Sequence, residues 1–206
     1  MRGKDGTLLL DGKQEGGGWM NLWRLSGPQH FNPSANGIPG NVPAEWSSMI
    51  WPTTGYTQLS FRAVGQNPSS AGGAPPYITW EEGDVSLDSI SEVPCDANGL
   101  LPRKELDCDF ETDLCEWTQD SMRYRSYPYP NYWWARNSGT TPTSATGPRI
   151  AAGGQFYMYT ESSIMGGLNA DESLNNGRES EANGVTAILV SPIISDVQCI
   201  QFQYHM

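Results

Sequence analysis

Apolar and polar residues take turns along several short stretches of the chain. In Leu59-Ser60-Phe61-Arg62-Ala63 the odd positions are apolar and the even ones polar; in Ile200-Gln201-Phe202-Gln203-Tyr204 the even positions are apolar. Side chains of a strand point alternately to its two faces, so this period of two predicts strands with one buried and one wet face. Asp84-Val85-Ser86-Leu87-Asp88 alternates in the same way. Val185 to Val190 and Phe156 to Thr160 predict further strands, because β-branched and aromatic side chains fit a pleated surface. Helical periodicity is absent from the pattern. The apolar set expected to face inward is Leu59, Phe61, Val85, Leu87, Trp117, Trp134, Phe156 and Phe202.

Between these stretches lie long runs of turn residues. Residues 32–43 hold Pro33, Gly37, Pro39, Gly40 and Pro43; residues 67–76 hold Gly72, Gly73, Pro75 and Pro76; residues 137–154 and 166–184 are similar. Residues 168–183 are polar and acidic and are expected to be mobile. Short strands joined by long loops, with almost no helix, predict an all-β chain of jelly-roll or β-sandwich type.

Composition narrows the class. Only 37 % of the 206 residues are hydrophobic, but 8 Trp and 9 Tyr concentrate that apolar surface in large side chains. Each buried aromatic removes about 150–250 Å2 from water, so a sizeable core remains attainable. The net charge is −11, from 12 basic and 23 acidic residues. A field of that sign repels phosphate backbones and anionic lipid, which argues against nucleic acid as a partner and against binding to a membrane surface. No apolar run is long enough to insert into a bilayer. The first residues lack the apolar region of a secretion signal, which by itself suggests the cytosol.

The cysteines point the other way. There are 4: Cys95, Cys108, Cys115 and Cys199. Their even number, with no Cys-x-x-Cys and no histidine at ligand spacing, argues against zinc. A bridge between Cys108 and Cys115 would close a short loop and stabilise by roughly 2–3 kcal/mol; four reduced, buried thiols are the alternative.

The surroundings of that pair carry a resemblance. Cys108-Asp109-Phe110-Glu111-Thr112-Asp113-Leu114-Cys115-Glu116-Trp117-Thr118-Gln119 closely resembles the opening of a MAM domain, the module shared by meprin, a neuronal cell-surface antigen and a receptor tyrosine phosphatase. Trp134-Ala135-Arg136, Thr146-Gly147-Pro148, the strand from Phe156, Leu189-Val190-Ser191-Pro192 and the run from Cys199 to Met206 follow in the family's order. The module's second half resembles the front of the chain instead: Asp5 to Leu10, Leu22-Trp23-Arg24-Leu25-Ser26-Gly27, Tyr56 to Gly65, and Gly83 to Ile90 closed by Cys95. The resemblance thus divides the chain into the C-terminal half of one module (1–95), a linker (96–107) and the N-terminal half of the next (108–206). It implies a fragment of a tandem array, in which Met1 marks only where the fragment begins.

In the family the first two cysteines pair locally and the third pairs with the one that ends the domain. The resemblance therefore implies a Cys108–Cys115 bridge and leaves Cys199 and Cys95 each without its own partner. Neither half alone could bury its apolar face. The halves are complementary, so the expectation is one circularly permuted sandwich in which Cys95 faces Cys199.

Candidate chemistry is sparse. Asp109, Glu111 and Asp113 lie in the first loop, while Asp84 and Asp88 flank the last strand of the module. First and last strands of a jelly roll commonly lie together, and hard oxygen ligands converging there would suit calcium; no cofactor is otherwise required. Ser89 stands where the family usually has a second acid, which weakens that site. Tyr127, Tyr129, Tyr132 and Trp133 sit in a loop where exposed aromatics could anchor a protein or stack on a sugar. His30 and His205 have no recognisable nucleophile or base beside them, and no His-Glu-x-x-His occurs, so the protease activity of meprin does not carry over. The resemblance implies an extracellular, non-catalytic module for protein–protein adhesion or oligomerisation, with homophilic pairing among its options. A carbohydrate-binding jelly roll and a spacer beside an extracellular enzyme are the alternatives.

Overall fold

The computed structural model describes residues 7–26, 46–65, 84–95, 105–120, 133–141, 147–160, 185–195 and 199–206. Within them the regular structure is all β. The strands are β1 (Thr7–Lys13), β2 (Trp19–Ser26), β3 (Ser47–Pro52), β4 (Gln58–Gly65), β5 (Val85–Val93), β6 (Thr118–Gln119), β7 (Ala135–Ser138), β8 (Phe156–Thr160), β9 (Val185–Val190) and β10 (Cys199–His205). They form two five-stranded sheets, ordered β2-β1-β4-β9-β6 and β3-β10-β5-β8-β7. Every strand pair is antiparallel.

The alternation explains how the sheets meet. Leu8 and Leu10 of β1, Leu59, Phe61 and Ala63 of β4, and Ala187 and Leu189 of β9 are buried on one side. Val85 and Leu87 of β5 and Ile200, Phe202 and Tyr204 of β10 are buried on the other, and all join a single apolar cluster. The two sheets touch at Phe61 and Phe202, whose ring centroids are 4.8 Å apart edge to face. Trp117 packs on Phe61 and Trp23 on Phe202. Offset and edge-on aromatic pairs of this kind add about 0.5–1.5 kcal/mol each beyond their burial.

Both stretches of the chain build both sheets. In the first sheet β4 pairs with β9, from Ser60 opposite Val190 to Gly65 opposite Val185. In the second, β10 is inserted between β3 and β5: Phe202 stands opposite Met49, and Tyr204 opposite Leu87. Cys199 stands opposite Val93, two residues before Cys95, and the disulfide Cys95–Cys199 closes that end of the pair. The second disulfide joins Cys108 to Cys115. Leu106, at the end of the connecting stretch, is fully buried, and its carbonyl accepts the Trp117 indole N–H at 3.0 Å.

Two expectations of the pattern are corrected. Phe156 is only partly buried; it lies on the outer rim beneath Arg136, whose guanidinium carbon is 3.6 Å from the ring centroid. Aromatic identity alone does not say which side of a strand faces the core. The polar positions of β5 are also not wet: Ser86 and Asp88 are as buried as Val85 and Leu87, as is Asp84 just before the strand. Tyr157 and Tyr159 of β8 form a second small cluster with Ala151, and Trp46 packs against it. The acidic run 168–183 lies outside the described residues.

Candidate functional site

Of the carboxylates singled out by sequence, Asp88 on β5 and Glu111 of the first loop reach one backbone segment, Asp109 and Asp113 stay within the first loop, and Asp84 lies buried just before β5. Cys108 forms an isolated bridge with Ile90 of β5, exchanging two backbone hydrogen bonds of 2.8 Å. The first loop is thereby docked beside Asp88. Two further bonds extend the contact: the Leu106 N–H donates to Glu92 Oε1, and the Glu92 N–H to Asp107 Oδ1, each at 2.7 Å. Burial pushes the Glu92 carboxyl upward, as do the neighbouring charges of Asp107 and Glu105, against the lowering effect of the Leu106 amide.

Four of these carboxylates, Asp88, Glu111, Asp109 and Asp113, accept backbone amides. Asp88 Oδ1 accepts the Ser89 N–H at 2.6 Å, and its Oδ2 accepts those of Ala152 and Gly153 at 2.8 and 3.1 Å. Glu111 Oε1 accepts the N–H groups of Gln155 and Phe156 at 2.8 and 2.7 Å. Gly154, between them, has φ +66°, and a Cβ there would collide with the Glu111 carboxylate. Asp109 and Asp113 each accept an N–H two residues on, from Glu111 and Cys115, shaping the loop inside the local disulfide. Arg136 fastens the same loop from the side, donating from Nε to the Phe110 carbonyl at 2.6 Å and from Nη2 to the Glu111 carbonyl.

Calcium needs six to eight oxygens converging on one point. Here the Asp88 oxygens and Glu111 Oε1 are turned to the chain's own amides, and among the described residues no group of three or more His, Cys, Asp or Glu side chains could hold a metal ion. Asp88 and Glu111 thus meet on one backbone segment, residues 152–156, with their bonded oxygens turned to its amides. Burial pushes the Asp88 carboxyl up to about 6, more than its three backbone hydrogen bonds lower it.

The aromatic candidates divide differently. Tyr127, Tyr129 and Tyr132 lie outside the described residues. Trp133 is described and is 47 % exposed, whereas the adjacent Trp134 is buried in the core. Tyr157, which the sequence did not single out, closes a buried polar network: its hydroxyl donates to the Gly139 carbonyl at 2.8 Å and accepts from Asn137 Nδ2 at 2.9 Å. Burial pushes its phenol up to about 12, opposed by the Asn137 bond and aided by the charges of Asp84 and Tyr159. His205 is buried with its ring against Trp46, which suits packing rather than catalysis.

Sequence reasoning also missed a groove of about 310 Å3 on the outer face of the first sheet, lined by polar side chains of β1, β4 and β6 with Trp19 at one side. The signal was present in the polar positions of the alternation. What could not be read was which of them the strand register lines up.

No family model matches the chain, and no solved structure matches it. Curated proteins do. MAM domain-containing protein 2 of Homo sapiens is 34 % identical over 134 residues, covering 62 % of this chain and 16 % of that protein. MAM domain-containing protein 2 of Mus musculus is 32 % identical over the same shares of both chains. The aligned part is therefore a small portion of either relative. With a helix-free two-sheet sandwich in the described residues and the Cys108 to Gln119 motif folded as its docked first loop, that similarity supports a MAM-like domain in this chain.

Proposed function

We propose that the chain serves as an extracellular, non-catalytic protein–protein adhesion or oligomerisation module within a larger multidomain protein. The observation that carries this reading is the similarity to MAM domain-containing protein 2, on a sandwich tied by two disulfides. Disulfides persist in oxidising compartments, which supports an exported location. The match to 16 % of each relative supports a segment of a longer array. Within that array, residues 1–95 would be the C-terminal half of one module and 108–206 the N-terminal half of the next. Here strands from both stretches share one sandwich; in such an array each stretch would complete its own module.

The test is self-association and cell binding. Beads coated with the chain are expected to aggregate with one another or to bind cells that display the parent ectodomain. Sedimentation of the chain should show reversible self-association in the first case. Failure of both, with a folded chain, would leave a spacer role and remove the adhesion reading.

A further inference from the structure

The outer face of the first sheet carries a second feature. Register places its polar residues in rows. Trp19 of β2 stands opposite Lys13 of β1, which stands opposite Gln58 of β4. The next outward row runs from Asp11 to Ser60, Val190 and Thr118 across β1, β4, β9 and β6. The row after that brings Arg62 beside Ile188. The three rows form the groove of about 310 Å3, at the lower end of the range of about 300–1,000 Å3 that holds small ligands.

Its lining has the chemistry of a hydroxylated, uncharged ligand. Arg62 Nε donates to Asp11 Oδ2 at 2.7 Å and Arg62 Nη2 to Asp11 Oδ1 at 3.3 Å, so the pair is fixed in place and mutually neutralised. Asn21 Nδ2 holds the same carboxylate at 3.1 Å. Lys13 and Asp120 supply one further charge of each sign, which leaves the lining balanced. Thr118 brings an exposed hydroxyl, while the largely buried Ser60 and Ile188, with Val190, form the floor. Trp19, partly exposed, offers an aromatic face at the rim, with Lys13 Nζ 6.0 Å from its ring centroid.

We propose that this groove binds a short neutral saccharide. Hydroxyls of the sugar would exchange hydrogen bonds with Arg62, held in place by the buried Asp11, and with Thr118, while an apolar ring face rests on Trp19. Charge selects neutral over acidic sugars: the lining is balanced, and the net charge of −11 repels sialylated and sulfated chains. The groove lies on the other sheet from Asp88, its Gln119 edge is hydrogen-bonded to the Trp134 backbone, and the proposal does not depend on the adhesion reading.

The test is binding of the chain to an array of neutral oligosaccharides built from glucose, galactose, mannose and N-acetylglucosamine, with sialylated and sulfated glycans as a second arm. Binding to at least one neutral glycan is expected, weakened about tenfold or more by Trp19→Ala, which removes the aromatic stacking face, and several-fold by Thr118→Val. If Trp19→Ala does not fold, amide shifts of the unmodified, isotope-labelled chain on adding the bound glycan are expected at Lys13, Ser60 and Thr118. No neutral binding, binding only to acidic glycans, insensitivity to both substitutions, or shifts confined to the surroundings of Trp133 would each overturn the proposal. Bead aggregation measured on Trp19→Ala separates the two roles, because the saccharide site can fail while adhesion persists.

Discussion

Cys95 and Cys199 lie 104 positions apart in sequence and are joined by a disulfide, with Cα atoms 5.2 Å apart. The bridge ties the end of β5 to the start of β10, strands that are already neighbours in one sheet. Its effect falls mainly on the unfolded chain, where it removes the entropy of a very long loop. By that account it contributes about 4–5 kcal/mol, against roughly 2–3 kcal/mol for the short Cys108–Cys115 loop. Replacing Cys95 and Cys199 by Ser is therefore expected to lower the urea midpoint more than replacing Cys108 and Cys115. The reverse order would mean that the local loop matters through its native contacts, the Asp113 and Arg136 hydrogen bonds, more than through chain entropy.

The interleaving of strands predicts a fragment experiment. Strand β10 takes both its partners, β3 and β5, from the other half of the chain, and β4 takes one of its partners, β9, in the same way. Peptides covering 1–95 and 105–206 should each give collapsed amide spectra alone, because each exposes open edges and one face of the core. Mixed under oxidising conditions they should regain dispersed spectra and a bridge between Cys95 and Cys199. A dispersed spectrum from either peptide alone would contradict this.

The core was largely legible before the fold was known, and the reason is local. Leu59, Phe61, Phe202 and Tyr204 announce their side of the strand by period alone, and all are buried. Strand β3 was not legible, because outward-facing Ile50 is apolar and 52 % exposed, which erases the alternation of Ser47, Met49 and Trp51. Phe156 misled because Arg136, two strands' width of sequence away, covers it. Motif order singled out Asp88 and Glu111, but not the segment that both of them hold. Asp88 finds Ala152 and Gly153 at sequence separations of 64 and 65, and no short-range pattern encodes that.

Asp88 predicts a pH dependence of defined sign. Its carboxyl is raised from 3.8 to about 6, with desolvation by burial outweighing the amides of Gly153, Ser89 and Ala152. Between those values the folded state holds more protons than the unfolded one, so this group's contribution to stability falls as pH rises from about 4 to about 6. A carbon-detected titration of the Asp88 carboxyl should show a midpoint near 6. A midpoint at the ordinary carboxylate value would mean that its hydrogen bonds fully offset its burial. Replacing Asp88 by Asn should remove the corresponding downward slope from the urea midpoint measured across that window.

Asp88 and Glu111 hold the same segment from two sides. Asp88 accepts the amides of Ala152 and Gly153, and Glu111 those of Gln155 and Phe156. Hydrogen bonds to a charged acceptor are worth about 1.5–3 kcal/mol each, and part of that is recovered when the freed amide reaches water. Asp88→Ala and Glu111→Ala are each expected to cost about 2 kcal/mol by this reasoning. Their sum should exceed the cost of the double variant, because once one carboxylate releases the segment, the amides facing the other gain access to water. Gly154→Ala should act like Glu111→Ala, since its Cβ would displace the Glu111 carboxylate and its φ of +66° strains any residue but glycine. Hydrogen exchange of the Phe156 amide gives the local reading and urea unfolding the global one. Strict additivity of the two alanine variants would show that the two carboxylates hold their amides independently.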